Sequence, residues 1–504
     1  MPDILLSTLN ARYSHASLGL RCLRANLGPL RTRSAIAEFV IGQKTEEIVE
    51  RLLAASPRVI GLGVYIWNVE ETTRLVAQLK LLAPGIVIVL GGPEVSHEVD
   101  QQRICALADF VITGWGDISF AALAQRILDG DPPATRVIAG VQPPLDTLAM
   151  PYGEYTDEDI RQRHLYVEAS RGCPFKCEFC LSALDQTAWP FPLQPFLDAL
   201  EHLYQRGARQ FKFVDRTFNL KVDASLAVLD FFLGKIAEHP EDPPFAHFEL
   251  IPDHLPERLK LAIARFPPGT LQFEIGIQTF DPAVQKRISR RQKNGVAEDN
   301  LRWLRQHSGA HLHVDLIAGL PGEDVATFAA GFDRLVALAP HEIQFGILKR
   351  LRGAPIARHT AEFDLRFAPD PPYQILATDA IDFPTMQRLA RFARYWDLYA
   401  NSGRFRRSLP RLLDAAPFAS FLAFADWLYA RTGQTHALAH DRLVNLLHEY
   451  LVERGDVDAE SALLADYRGA GGRSRLRFED ATAPVPPPRT RAGGATPQRQ
   501  ARHL

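Results

Sequence analysis

Long apolar runs are missing from this 504-residue chain. No stretch reaches the roughly 18 consecutive apolar residues that a membrane-spanning helix needs. The opening residues, MPDILLSTLNARYSHAS, lack the basic-then-apolar pattern of a secretory signal. Neither sign of charge dominates: 57 basic and 59 acidic side chains leave a formal charge of -2, which excludes a global pull toward nucleic acid, anionic membranes or acidic ligands. Cysteine is scarce, five residues in all, too few for a disulfide framework and in keeping with a reducing compartment. The expectation is a soluble, cytoplasmic protein without a membrane span. What is present in quantity is apolar character, 46% of residues, enough for the cores of two or three domains.

Short, nearly all-apolar segments alternate with amphipathic ones from the start: DILLSTLNA, SAIAEFVI, VIGLGVYIW, IVIVLGGPEV and FVITGWGD are strand-like, with helical stretches between them. That rhythm is what a parallel sheet covered on both faces requires, so residues 1–130 read as a doubly wound α/β domain. Ligands of such sheets sit beyond the carboxyl ends of the strands, where Asn10, Tyr65, Gly91, Gly92, Gly114 and Gly116 fall. Residues 131–160 are rich in proline and acidic residues and read as a linker. The rhythm returns over 161–362 with six strand candidates, HLYVEAS, RQFKFVD, FAHFEL, LQFEIGIQ, HLHVDLIAG and HEIQFGIL, as expected of a partial (β/α)6 barrel of the TIM type. Residues 363–468 carry helical periodicity with aromatic stripes, Tyr395, Trp396, Tyr399 and Phe405 among them, which read as core. The last stretch, 469–504, is too poor in apolar residues to fold by itself and reads as an unstructured tail.

Three of the five cysteines stand together in SRGCPFKCEFC, Ser170 to Cys180. Cys173, Cys177 and Cys180 follow the first barrel strand, where barrel chemistry is located. Three thiolates at this spacing can wrap one iron-sulfur cubane and leave its fourth iron open. Zinc is the alternative, but structural zinc sites are closed by four ligands from paired knuckles, and no second knuckle exists. Cys22 and Cys105 lie on helical segments of the first domain and read as buried small hydrophobes.

The run CPFKCEFC, with Phe179 just before the last cysteine, resembles the signature of the radical S-adenosylmethionine superfamily. The resemblance implies a [4Fe-4S] cluster on Cys173, Cys177 and Cys180 as the catalytic centre, with S-adenosylmethionine chelating the unique iron and yielding a 5'-deoxyadenosyl radical. It continues for some 190 residues. FVDRTFN places Asp215 where the family contacts the methionine amino group, and HFEL places Glu249 where it contacts the ribose or methionyl end. EIGIQT places Gln278 under the substrate, and DLIAGLPGE places Ile317 against the adenine. The family's Gly-Gly-Glu after the second strand is replaced here by Asp215-Arg216-Thr217-Phe218-Asn219.

An α/β domain ahead of such a barrel resembles the cobalamin-binding domain of the superfamily's largest subgroup, with GGP at Gly91–Pro93 and GWGD at Gly114–Asp117 as its loops. The Asp-x-His-x-x-Gly motif, by which other methylcobalamin enzymes supply a histidine to cobalt, is absent. The corresponding loop reads NARYSHASLG, with Tyr13 where that aspartate stands. His15 is then either a lower cobalt ligand or a hydrogen-bonding loop residue, and in many members of the subgroup cobalt has no protein imidazole. The C-terminal helices resemble an extension of uncharacterised function found behind the same pair of domains. Together these resemblances imply a cobalamin-dependent radical enzyme, most simply a C-methyltransferase acting on an unactivated carbon of a small molecule, with an external electron donor such as flavodoxin or ferredoxin. A radical cyclase or rearrangement enzyme like the anaerobic tetrapyrrole cyclase shares the architecture, and a non-catalytic cobalamin or iron sensor is the reading from another class. LKRLRGAPIARH is basic, but no RNA-binding module accompanies it, so a nucleic-acid partner is not expected.

Overall fold

The computed structural model describes residues 1–503 except 186, 457, 480–496 and 498. They fall into two compact units, one of Met1–Phe218, Lys349–Ala357 and Ala368–Gln374, the other of Asn219–Leu348, Arg358–Phe367 and Ile375–Leu504.

The first unit opens with β1 (Ile4–Asn10), α1 (Leu18–Ala25), β2 (Ser34–Val40), α2 (Thr45–Ala54), β3 (Val59–Gly63), α3 (Val69–Leu82), β4 (Val87–Gly91), α4 (Arg103–Leu107), β5 (Phe110–Thr113), α5 (Asp117–Leu128) and β6 (Val137–Ala139). The strands are all parallel, in the order β2-β1-β3-β4-β5-β6. Side chains alternate between faces along a strand, and here both faces are apolar. Leu5, Ile60 and Leu62 pack into one core with Leu52 of α2 and Leu75 of α3. Ile4, Leu6 and Val59 pack into the other with Leu20 of α1 and Phe120 of α5. Because β2 lies on one side of β1 and β3, which the chain reaches from β2, on the other, the sheet has its switch point at the carboxyl ends of β1 and β3, which is where such sheets take ligands.

The span expected as a linker contributes more than a connection. It supplies β6, and α6 (Asp157–Gln162) begins inside it on a capping box between Thr156 and Asp159. The unit continues with β7 (Leu165–Val167), a short antiparallel pair of β8 (Ser170–Arg171) and β9 (Trp189–Pro190), then α7 (Leu193–Gln205) and β10 (Gln210–Phe213), which runs parallel to β7.

In the second unit α8 (Val222–Glu238), β11 (Phe245–Leu250), α9 (Glu257–Ile263), β12 (Leu271–Gln278), α10 (Pro282–Arg287), α11 (Asn294–His307), β13 (His311–Ala318), α12 (Val325–Ala337) and β14 (Glu342–Ile347) follow in turn. Its four strands are parallel, in the order β11-β12-β13-β14. Counted with β7 and β10 they make the six parallel strands of a partial (β/α)6 barrel. The helical remainder comprises α13 (Phe383–Tyr399), α14 (Leu409–Leu412), α15 (Pro417–Thr432), α16 (His440–Glu453) and α17 (Ala459–Gly469). Tyr395, Trp396, Tyr399 and Phe405 are all buried in it.

The tail differs from the expectation where it is described. Residues 470–479 fold back on the helices: Leu476 is buried, and the Phe478 ring lies 4.1 Å from that of His448. Two apolar anchors suffice for a segment whose average composition is polar. Arg499 Nη2 pairs with Glu342 Oε2 at 2.6 Å. Residues 480–496 of the expected tail lie outside the described residues. No helix among the described residues is long and apolar enough to cross a membrane.

Candidate active site

The cysteine loop leaves the carboxyl end of β7 and is held at both ends. Gly172 precedes Cys173 with φ +93°, and a Cβ there would lie 2.4 Å from the Thr187 carbonyl oxygen, so only glycine fits. The Cys173 amide donates to the Asp185 carbonyl (3.0 Å), and the Cys180 amide to the Cys177 carbonyl (3.1 Å). Asp215, just past β10, accepts from the Ala169 amide (3.0 Å) and the Ser170 hydroxyl (2.7 Å). Its carboxylate therefore fixes the strand-to-loop turn, and burial pushes its pKa up to about 7. Burial also pushes the Cys173 thiol up to about 11, with the neighbouring Cys180 and Cys177 adding to the rise and the Arg216 guanidinium opposing it. The three thiols are thus close enough to feel one another. Among the described residues no three His, Cys, Asp or Glu side chains converge on one metal ion. Three thiols on one short loop fit a cluster of several irons with an open corner. Phe179 is half-buried beside them. Cys22 and Cys105 are buried in the first sheet domain, Cys105 within an apolar core.

At the carboxyl ends of β1, β3, β4 and β5 lies a cavity of about 730 Å³. It gathers the first-domain residues expected on the cobalamin side: Asn10, His15, Tyr65, Gly91, Gly92, Gly114 and Gly116 all line it. Asn68, wholly buried at the amino end of α3, ties the switch point together by donating to the Leu9 carbonyl (3.0 Å) and the Gly63 carbonyl (3.2 Å). Gly92, at φ +111°, lets the β4 loop approach β3 so closely that a Cβ would meet the Val64 carbonyl oxygen at 2.5 Å. A Cβ on Gly114 would meet nothing within 4 Å, so that loop leaves room at the cavity wall. Tyr65 and Trp67 stack at 4.4 Å, and both line the cavity. Arg171 closes another side, paired to Asp117 (2.9 Å) and Glu168, its guanidinium 4.7 Å from the centre of the Trp115 ring. Glycine loops and an apolar, aromatic wall fit a large flat ligand such as a corrin.

Val214 and Arg216, from the end of β10, also line this cavity. Arg216 therefore stands on the cavity wall and within electrostatic reach of Cys173.

In the second unit the remaining candidates sit on successive strands. Glu249 of β11 pairs in register with Glu274 of β12. Gln278 ends β12 after a register shift, at φ +70°. A Cβ on Gly276 would lie 2.3 Å from the Gln278 amide nitrogen, so Gly276 makes room for that side chain. The Gln278 Oε1 atom has no hydrogen-bond partner among the described residues. Ile317 of β13 lies beside Gly346 of β14, whose Cβ would come within 3.8 Å of it. Two residues of this unit were not singled out from the sequence. Asp315 shares the Ile317 face of β13, its Oδ1 lies 3.6 Å from His313 Nε2 and has no hydrogen-bond partner among the described residues, and it is pushed well above the ordinary carboxylate range by burial, with Glu274 and Glu249 adding and Arg290 opposing. Arg290 itself donates to the Gly276 carbonyl. The two-residue spacing of Asp315 and Ile317 carries this signal once β13 is placed.

Residues 5–124 match the B12 binding domain family, residues 167–335 the Radical SAM superfamily, and residues 361–470 a protein family of unknown function, DUF4080. The chain joins a B12-binding domain to a radical S-adenosylmethionine domain. These two domains imply a [4Fe-4S] cluster, S-adenosylmethionine and cobalamin as cofactors. Among curated proteins, 2-(S-pantetheinyl)-carbapenam-3-carboxylate methyltransferase of Streptantibioticus cattleyicolor is 25% identical over 362 residues, 62% of this chain and 50% of that protein. The chain spans about half the length of the curated relatives it matches. Among solved structures, the cobalamin-dependent S-adenosylmethionine radical enzyme OxsB with aqua-cobalamin superposes with a TM-score of 0.64 at 12% identity, over 93% of this chain and 81% of that one. The radical S-adenosylmethionine methyltransferase TsrM from Kitasatospora setae, with cobalamin and a [4Fe-4S] cluster, gives 0.59 at 16% identity, over 74% and 82%. At these identities the likeness is one of fold.

Proposed function

We propose that this B12-binding radical S-adenosylmethionine protein is an enzyme that methylates an unactivated carbon of a small molecule. The observation that carries the reading is that one compact unit contains both the glycine-lined first-domain cavity, to which Val214 and Arg216 from the end of β10 contribute, and the loop with Cys173, Cys177 and Cys180. When bound, the cluster and S-adenosylmethionine supply a 5'-deoxyadenosyl radical and cobalamin supplies a methyl group. Cys173, Cys177 and Cys180 hold the cluster, and Asp215 keeps their loop in place. Glu249, Gln278, Asp315 and Arg290 offer polar groups on the S-adenosylmethionine or substrate side, Ile317 offers its apolar face to the adenine, and the Tyr65–Trp67 stack and the glycine loops seat the corrin. An external donor such as a flavodoxin or ferredoxin is the expected electron source. The methyltransferase among the curated relatives supports the reaction class.

The test is anaerobic turnover of the loaded, reduced protein with candidate substrates. Release of 5'-deoxyadenosine together with a product heavier by one methylene unit is the expected result. A product of unchanged mass points to cyclisation or rearrangement instead, and a fully loaded protein that never releases 5'-deoxyadenosine overturns the catalytic reading in favour of a sensor.

A further inference from the structure

We propose that Arg305 and Arg406, with the His341 ring between barrel and helices as a third partner, form a binding site for a phosphate group at the amino ends of β13 and β14. The site is independent of the cofactor assignments, since barrel chemistry is located at the opposite, carboxyl ends of the strands. Its parts come from three places in the second unit. Arg305 lies in the last turn of α11, His341 directly precedes β14, and Arg406 belongs to the basic run RFRR, Arg404 to Arg407, between α13 and α14. Asn401 holds the segment before that run against the barrel, accepting from the Ile343 amide and donating to its carbonyl, both at 2.9 Å. Arg305 and Arg406 are both exposed and so open to a ligand.

Positive charge is concentrated here. Burial and the Arg406 guanidinium lower the Arg305 pKa, and burial, with His311, Arg305, His503 and Arg406 adding, pushes the His341 ring down to about 2, so that it stays neutral. The carboxylates of the region are committed elsewhere: Glu342 to His311 Nε2 (3.1 Å) and Arg499 (2.6 Å), and Asp397 to Arg499 (2.7 Å). The hydrogen bonding points the same way. His341 Nδ1 faces the Leu312 amide at 2.9 Å, and Nε2 faces Arg305 Nη1 at 2.7 Å. Both neighbours are donors, and a neutral imidazole has one lone pair in its ring plane. Whichever nitrogen carries the proton, an N–H faces an N–H, so the group holds one donor more than it can accept. A phosphate oxygen seated against Arg305 and the ring takes the surplus donor, and a guanidinium fork matches phosphate oxygens two at a time. Two guanidinium charges balance the roughly 1.5–2 negative charges of a phosphate monoester at neutral pH. Arg305 falls within the radical S-adenosylmethionine match and Arg406 within the DUF4080 match, so the bound group ties the helical extension to the barrel.

Calorimetric titration of the full-length protein with inorganic phosphate and, in parallel, methyl phosphate, with ionic strength held constant by potassium chloride, tests this. The expected result is phosphate binding that weakens about tenfold or more in Arg305→Gln and in Arg406→Gln and is unchanged in Arg103→Gln, an exposed arginine of the first unit. Equal or tighter binding of methyl phosphate makes an organic phosphate the ligand, and tighter binding of inorganic phosphate makes it the free ion; both uphold the site. No phosphate binding above the chloride background overturns the proposal, as does binding that either glutamine variant leaves undiminished. Where a glutamine variant fails to fold, Arg305→Lys and Arg406→Lys keep the charge and lose the fork, and phosphate binding undiminished in them overturns the proposal equally.

Discussion

Glu323, at the loop after β13, is 2% exposed and meets the Thr279 hydroxyl at 2.5 Å. Burial pushes its pKa from an ordinary 4.5 up to about 8. Between those two values the folded chain keeps a proton that the unfolded chain releases, so this group withdraws stability as pH rises through the window, by up to roughly 4 kcal/mol. Glu323→Gln should flatten that decline in a series of denaturant midpoints from pH 4.5 to 8; an unchanged slope would contradict the assignment. Among the thiols, replacing any of Cys173, Cys177 or Cys180 by alanine should remove the cluster, while Cys22→Ala and Cys105→Ala should keep their iron and sulfide. Iron lost from either of the last two would refute the ligand set. The cysteine loop was legible in the sequence because its three cysteines are neighbours along the chain. Asp315 and Arg290 were not, since their relevance depends on which face of β13 turns inward and on the irregularity between Gly276 and Gln278. The contact of His15 with Tyr166 spans 151 residues and has no local signature at all.

Elements were legible wherever burial is two-sided. All five strand-like segments of the first domain and all six of the barrel became strands, because runs such as VIVLG satisfy both faces of a covered sheet. What escaped were β6 and the ordered part of the tail. β6 has only three residues and two of them are exposed, so its apolar pattern is too short to stand out; Leu476 and Phe478 act through contacts with distant helices. Close approach between elements gives a prediction at this scale. Gly92→Ala forces a Cβ toward the Val64 carbonyl and a side chain into a positive φ, and should cost about 1–3 kcal/mol or more. Gly85→Ala, with open space around it and no positive φ, is the control and should leave the midpoint within about 0.5 kcal/mol of the parent. Equal midpoints for the two variants would show that the β3–β4 approach is not as tight as described.

On the scale of the whole molecule, the first compact unit is assembled from distant parts of the chain. Besides residues 1–218 it recruits 349–357 and 368–374. Arg352 binds Glu94 (3.0 Å) and Glu98 (2.8 Å), and Tyr373 donates to Glu94 (2.7 Å), so segments that follow the last barrel strand clasp the loop after β4. The cavity and the cysteine loop both belong to this unit, with Arg216 on the cavity wall. The central claim is therefore that one chain holds two metal cofactors. The measurement that tests it most directly is iron, sulfide and cobalt analysis of a single anaerobic preparation from cells grown with cobalamin. About four irons with one cobalt per chain is the predicted result. Iron without cobalt would contradict the account of the first-domain cavity, and with it the methyltransferase reading.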